Sequence, residues 1–485
     1  MENFESARQR LLVAQRTFIV CALCAFIALG IQSTFTIPPF QVPDESRHWV
    51  AAITRTNAAA AALQEVKKTP TCSVEFGLIS KMAQDSLAFQ PSNRMPSNTF
   101  ASIQDTSRDC QESVISYGNM LTYPGVLIGK LLVKAENRRP LAALTEFYAS
   151  RIIHGLLIFA LLFRLLTLSQ RARFVPFGLS LIAGLTLSPL FIQQSFGVSA
   201  DPICLMFALS LASIVLFPSV INRFDVVAVL VLAVVACHTK PPMALFGFSA
   251  ALLGLLRYSA KRYQTTLALL TIASALGATL VSISFNSGGG STPDGQSVVS
   301  VSQQLAFALR NPVATFQSLD SALWSALSIE QLAHPLGWLD THLHKRALSS
   351  WYTILWIALA FEVLGLLNLP WRSLSSRATG RSLGVSLLYL LGIYVASLAT
   401  PFILYLSWTA VGAPGVEGMQ SRYLFTSLLL VPAALTPFYG YEQPKTDAPE
   451  KVSHRIELGA VVVAMALLTA LYVSELHITT AARYW

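Results

Sequence analysis

The chain has 485 residues, 53% of them hydrophobic and only 12% charged, with a formal net charge of +9 and six cysteines. Its mean hydropathy is +0.55, and its charged fraction is about half that of a soluble domain, which excludes an ordinary water-soluble globule. The basic excess flanks apolar segments instead of forming a stripe interleaved with aromatics. That argues for membrane topology and against nucleic-acid binding.

Eleven segments approach the roughly 20 apolar residues that cross a bilayer. They are 17–37, 142–167, 174–191, 202–219, 224–238, 242–257, 264–285, 350–369, 382–406, 423–438 and 456–474. The first is too long for the apolar core of a signal peptide and lacks a small-residue cleavage site, so it reads as a retained helix. The spans near 224–257 are short enough to be broken, tilted or re-entrant. The expectation is an all-α, polytopic protein of about eleven transmembrane helices. With a cytoplasmic N-terminus, Arg8, Arg10, Arg16, Arg164, Arg171, Arg173, Arg223, Arg257, Lys261, Arg262, Arg372, Arg377, Arg381, Lys445, Lys451 and Arg455 all fall inside. Every even-to-odd connection is then basic, as the positive-inside rule requires. Lys240 dissents, in a short link on the outer side.

This orientation leaves two large extracytoplasmic loops, 38–141 and 286–349, which read as caps or lids over a membrane module spanning 1–438. Residues 439–485 form a cytoplasmic link and a final transmembrane helix. The first loop holds an alanine-rich helical stretch, about 47–66, and an apolar stretch, 119–135, suited to the interface. Cys21, Cys24, Cys204 and Cys237 lie in apolar segments and read as packing residues. Cys72 and Cys110 lie in the first loop, where an oxidising compartment allows them to pair. No internal repeat is present, which weighs against an inverted-repeat transporter.

The chemistry-bearing residues cluster at outer boundaries. The run Pro39-Phe40-Gln41-Val42-Pro43-Asp44-Glu45-Ser46-Arg47-His48 follows the first span directly. Adjacent side chains do not share a direction, so Asp44 and Glu45 suit divided roles. One carboxylate is suited to accept a proton from a hydroxyl or to ligate a divalent ion; the other to orient backbone. The plainer alternative is a charged end to an apolar helix. Gln193, Gln194 and Asp201 occupy the next outer boundary, with Asp201-Pro202 also a helix-start signal. His238 and Lys240 sit between two apolar runs, a costly placement that favours function, although Lys240 could simply snorkel to headgroups. Trp338 and Asp340 suit a sugar face and its hydroxyls, or an interfacial anchor. The last outer loop ends in Gln420-Ser421-Arg422-Tyr423, where the Arg422 fork suits a phosphodiester or diphosphate and Tyr423 suits an interfacial belt. Patterns for nucleotide-binding glycine loops and HExxH zinc sites are missing from the sequence, and its CxxC, Cys21–Cys24, lies inside the first apolar span.

Taken in order, Pro43-Asp44-Glu45 with His48, Gln193-Gln194 with Ser199 and Asp201, Gly337-Trp338-Leu339-Asp340, and Gly418-Met419-Gln420-Ser421-Arg422-Tyr423 resemble the bacterial membrane proteins of domain-of-unknown-function family 2142. That family is grouped with the GT-C superfamily of lipid-linked glycosyltransferases. Two positions depart from it: Ser46 stands where proline is usual, and Ser421 where glycine is usual. The resemblance implies a GT-C-like fold in the bacterial inner membrane, with its active site facing the periplasm or cell exterior. It implies an inverting transferase moving a sugar from a polyprenyl-phosphate donor to an extracytoplasmic glycan or lipid-linked acceptor. Asp44 would act as base, with Glu45 the second choice for base or metal ligand. Arg422, Lys240 and His48 would hold the donor phosphate. Gln193, Gln194, Asp201, Trp338, Asp340, Gln420 and Tyr423 would line the substrate site. Magnesium or manganese is compatible with such enzymes and not required. The alternatives are a polymerase or ligase using a lipid-diphosphate donor, and a flippase of lipid-linked sugar.

Overall fold

The computed structural model of the chain describes residues 2–62, 72–73, 92, 94, 109–110, 120–133, 140–172, 176, 178–257, 261–284, 299–333, 336, 341–367, 376–438 and 455–484. Among them the architecture is helical apart from one pair of two-residue strands. Helix α1 (Glu2–Thr36) ends where Pro38 and Pro39 remove successive backbone donors. After a tight turn, α2 (Glu45–Ala62) runs through an alanine-rich stretch of high helix propensity. Strands β1 (Cys72–Ser73) and β2 (Asp109–Cys110) pair antiparallel with Cys72 opposite Cys110. The side chains of these cysteines lie outside the described residues.

Helix α3 (Pro124–Leu132) packs against α4 (Pro140–Ala172). The approach is close because Gly125 has no side chain: a Cβ there would lie 2.4 Å from the Ser150 carbonyl oxygen. Two short helices follow, α5 (Leu179–Thr186) and α6 (Pro189–Ser195), broken at a serine–proline step. Helix α7 (Asp201–Leu216) buries all sixteen of its residues, as its all-round apolar sequence demands. It is the axis of the bundle. Around it stand α8 (Arg223–Thr239), started by an Asn222–Asp225 capping box, then α9 (Met243–Arg257) and α10 (Lys261–Ser284). Next come α11 (Val301–Arg310), α12 (Pro312–Ala326) and the short α13 (Ile329–Ala333). Long helices α14 (Lys345–Leu367) and α15 (Ser376–Ser407) precede a 3-10 turn at Ser421–Leu424, α16 (Phe425–Leu430) and a second 3-10 stretch, Val431–Phe438. Helix α17 (Arg455–Tyr484) packs along α1 and α14, and its Tyr472 hydroxyl donates to the Leu187 carbonyl at 2.8 Å. The final helix is therefore built into the same bundle.

Among the described residues, five helices are long and apolar enough to cross a membrane: Gln9–Thr36, Leu141–Ala172, Lys345–Gly365, Ser382–Ser407 and Val461–Tyr484. The expectation of a helical membrane protein with several spans holds. A count of eleven is not carried by helix length. The segments expected at 174–191 and 423–438 are interrupted helices, and α7 and α9 have 16 and 15 residues. Interrupted backbone survives at such depth only where protein surrounds it, and all of α6 is buried. In the region 286–349, α11 and α12 pack against the side of α15.

Candidate functional site

The turn between α1 and α2 is built around two left-handed residues, Phe40 (φ 65°) and Asp44 (φ 62°). Aspartate tolerates this backbone better than most residues, and phenylalanine does so rarely. The Asp44 carbonyl accepts the His48 amide at 2.9 Å and so begins α2. What holds the turn is a buried ion pair between Glu45 and Arg151. Arg151, in the middle of α4, grips Glu45 bidentately, Nε to Oε1 at 2.9 Å and Nη2 to Oε2 at 2.6 Å. Its remaining donors reach the carbonyls of Thr34, Ile37 and Pro38 at 3.0, 2.6 and 3.0 Å. The Glu45 carboxylate also accepts the amides of Phe40 at 2.9 Å and Val198 at 3.0 Å. One ion pair thus ties together the end of α1, the α1–α2 turn and the approach to α7. Its side chains are 1% and 0% exposed.

Asp44 points elsewhere. Its Oδ2 accepts Arg422 Nη2 at 3.0 Å, and its side chain is 40% exposed while that of Arg422 is 5% exposed. Arg422 Nε lies 3.7 Å from Asp201 Oδ2, and Lys240 Nζ pairs with the other Asp201 oxygen. The Tyr423 ring faces both cations, 4.8 Å from Lys240 Nζ and 5.2 Å from the Arg422 guanidinium carbon. Two carboxylates and two cations, drawn from the α1–α2 turn, the start of α7, the end of α8 and the Ser421–Leu424 turn, form one balanced cluster.

Local structure explains each placement. Asp201 opens α7 just before Pro202, and its amide donates to Ser199 Oγ at 3.2 Å. Lys240 follows the last turn of α8, where the Thr239 hydroxyl meets that of Thr122 at 3.0 Å. His48 Nδ1 meets the Tyr123 hydroxyl at 2.8 Å. Burial would raise the Asp201 carboxyl, but Lys240 and then Arg422 outweigh it and hold the group below its ordinary range. Burial would likewise lower Lys240 and Arg422. Asp201 outweighs that loss for Lys240, and Tyr423, Asp201 and Asp44 outweigh it for Arg422, so both are raised. His48 is the opposite case: burial pushes it down to about 4 despite the nearby carboxylates.

Buried amides and hydroxyls accompany the cluster. Gln193 and Gln194 lie on α6, which packs on the Ser421–Leu424 turn. Both ends of the Gln194 amide, both ends of Gln41, Gln420 Oε1 and the Ser421 hydroxyl are buried without a partner among the described residues. Such groups cost on the order of 1–3 kcal/mol each when left unsatisfied, so they suit a ligand rich in hydroxyls. Trp338 and Asp340 lie outside the described residues.

The residues do not suit a divalent ion. Both Glu45 oxygens are engaged by Arg151 and backbone amides, while the Asp44 carboxylate faces Arg422. Among the described residues no group of three or more His, Cys, Asp or Glu is gathered for a metal. Asp44 and Glu45 therefore do not form a common ligand pair.

Sequence reasoning brought forward Asp44, Asp201, Lys240, Arg422 and Tyr423, which the fold assembles. It missed Arg151, Tyr123, Thr122 and Thr239. An arginine inside the apolar segment 142–167 was the available signal for the first, since intramembrane charge demands a partner.

Neither a curated protein nor a solved structure matches the chain. The family model described as "Predicted membrane protein (DUF2142)" matches residues 26–431, a stretch that contains every member of the ionic cluster. The chain belongs to the DUF2142 family of membrane proteins.

Proposed function

We propose that this protein is an inverting glycosyltransferase that moves a sugar from a polyprenyl-phosphate donor to an extracytoplasmic glycan or lipid-linked acceptor. The observation that supports this reading is the convergence of four sequence-distant segments on Asp44, Asp201, Lys240 and Arg422, with Asp44 alone half-exposed. Phosphate recognition calls for cations already positioned, and the buried Arg422 and the partly exposed Lys240 stand together here. Proton removal calls for a carboxylate that solvent and substrate can reach, and Asp44 meets that need.

The geometry suggests how the two are coupled. Without donor, Arg422 is matched by Asp44 and Lys240 by Asp201, so the cluster is electrically balanced. A phosphate group arriving at Arg422 competes with Asp44 for the same Nη2. Its binding releases the carboxylate at the moment an acceptor hydroxyl needs a base. The hydroxyl oxygen then attacks the anomeric carbon, its proton passes to Asp44, and the carbon–oxygen bond to the lipid phosphate breaks. The electron pair leaves with the phosphate, whose charge Arg422 and Lys240 stabilise. Asp201 keeps Lys240 in place throughout. The pattern of basic joints favours a cytoplasmic N-terminus, which sets this chemistry on the outer side of the bacterial inner membrane. Lys240, the charge that breaks that pattern, is then a site residue.

The test uses purified protein with labelled polyprenyl-phosphate sugars and candidate acceptor glycans. Transfer by wild type, lost in D44N while donor binding remains, supports the assignment. Transfer only from a lipid-diphosphate donor would identify a polymerase or ligase. Flipping of lipid-linked sugar in liposomes without transfer would replace the enzyme with a transporter.

A further inference from the structure

The α1–α2 turn holds two residues other than glycine, Phe40 and Asp44, in the left-handed region. Backbone of that kind is costly and persists only where its surroundings over-determine it. Arg151 grips the two ends of the turn, through the Ile37 and Pro38 carbonyls and the Glu45 carboxylate. Val42 stands at its middle, two residues before Asp44.

Val42 is buried and meets two other parts of the fold. A Cβ on Gly197 would lie 3.1 Å from Val42 Cγ1, so the loop before α7 comes close against it. Tyr484, at the end of α17, packs with Val42 and Ile37 in a small buried cluster separate from the main core. The tyrosine ring is itself tethered. The Arg483 guanidinium carbon lies 4.8 Å from its centroid, and its hydroxyl lies 3.5 Å from that of Thr341. Thr341 and Leu336 exchange backbone hydrogen bonds at 2.9 and 3.1 Å, and in sequence they flank Gly337-Trp338-Leu339-Asp340. Nine residues earlier on α17, Glu475 lies 3.4 Å from His344 and 3.6 Å from Arg346. Both partners are mostly exposed, so these contacts hold the segment weakly. The buried ring is the firmer tie.

We infer that Tyr484 is a positioning residue: its ring backs Val42 and Ile37, and so holds the Asp44 carboxylate where it faces Arg422. Helix α17 lies beyond the residues that the family model matches, yet it is thereby part of the frame of the ionic cluster. The seating of the turn stands on packing alone, whereas its effect on sugar transfer rests on the function proposed above.

Two readouts on the full chain in detergent test this. The first is amide hydrogen exchange over residues 38–48, where the amides of Phe40, Gln41, Glu45 and His48 are bonded within the turn. Y484A should speed exchange severalfold there and at the end of α17, and leave α4 and α7 protected. Y484F, which keeps the ring, should restore the wild-type rate. Y484L should give a smaller rise of the same kind, which preserves the comparison if Y484A does not fold. The second readout is transfer: in Y484A kcat should fall roughly 10–100-fold with the donor KM nearly unchanged, because Arg422 and Lys240 stay in place. Unchanged exchange over 38–48 in the folded variant would overturn the inference. So would a rise spread evenly over all helices, which would mark a general loss of stability. If exchange rises locally while wild type transfers no sugar, the positioning role holds and the transferase reading fails. If wild type transfers and Y484A matches it in both rate and exchange, the reverse is true.

Discussion

Asp44 and Glu45 are consecutive residues, yet they belong to two ionic assemblies of opposite character. The Glu45–Arg151 pair is closed: both carboxylate oxygens and all directions of the guanidinium are used, and neither side chain meets solvent. The Asp44 cluster is open: its carboxylate is 40% exposed, Arg422 Nε stands 3.7 Å from its nearest acid, and unpartnered amides and hydroxyls lie close in the chain. A saturated pair can hold a shape but has nothing left with which to bind. An unsaturated one can exchange partners. The contrast separates scaffold from site more firmly than residue type does.

The largest effect should come from breaking the closed pair. R151A leaves a buried carboxylate unpaired, and its loss should be about 3–5 kcal/mol, while an R151M/E45L double variant should cost less than either single change. Thermal unfolding in detergent measures this; an R151A protein that melts with wild type would abolish the distinction. In the open cluster the effect should move from stability to rate. D44N should melt close to wild type and lose about 10²–10⁴-fold in transfer rate, the range of general-base removal. If D44N also unfolded, Asp44 would be scaffold like its neighbour.

A third test uses pH. His48, facing Asp44, Asp201, Lys240 and Arg422, falls from 6.5 to about 4 on folding. Between those values the unfolded chain binds more protons, so stability should rise with pH across that window and lose this slope in H48Q. An unchanged slope in the variant would assign the dependence to other groups. The smallest effect should be at Tyr423, where Y423L removes a cation–π face worth about 0.5–2 kcal/mol. Donor affinity, read by titration, should weaken roughly two- to thirtyfold by that arithmetic, and Y423F should recover most of it. Equal losses in both would shift the contribution from the ring to the hydroxyl, which Arg422 Nη2 reaches at 3.3 Å.

Much of this was legible in advance, for identifiable reasons. Apolar run length announced a helical membrane protein, a helix-start signal marked Asp201, and a charge set between two apolar runs marked Lys240. The ordered resemblance linked Asp44 to Arg422, 378 residues apart in sequence. The division between Asp44 and Glu45 was not legible, because it depends on a left-handed turn and on an arginine in another helix. Helix length carries five of the eleven expected spans among the described residues; α7 and α9 are shorter than a bilayer crossing, and α7 is buried along its whole length.

The closed pair also sets an order of events during synthesis. Arg151 follows Glu45 by 106 residues, and Val198 follows it by 153. At roughly 5–20 residues per second, the ribosome needs about 5–20 s after making the α1–α2 turn to supply its arginine. Helix α1 can be inserted by then, but its exit turn has neither the donors that bind its carbonyls nor the amide that completes the carboxylate. The left-handed backbone at Phe40 and Asp44 is thus a late acquisition, dependent on α4 reaching the membrane. Separately expressed halves divided between residues 62 and 140 would test whether timing or mere presence of α4 matters. Assembly of the two pieces into a protein that melts like the intact chain would show that presence is enough.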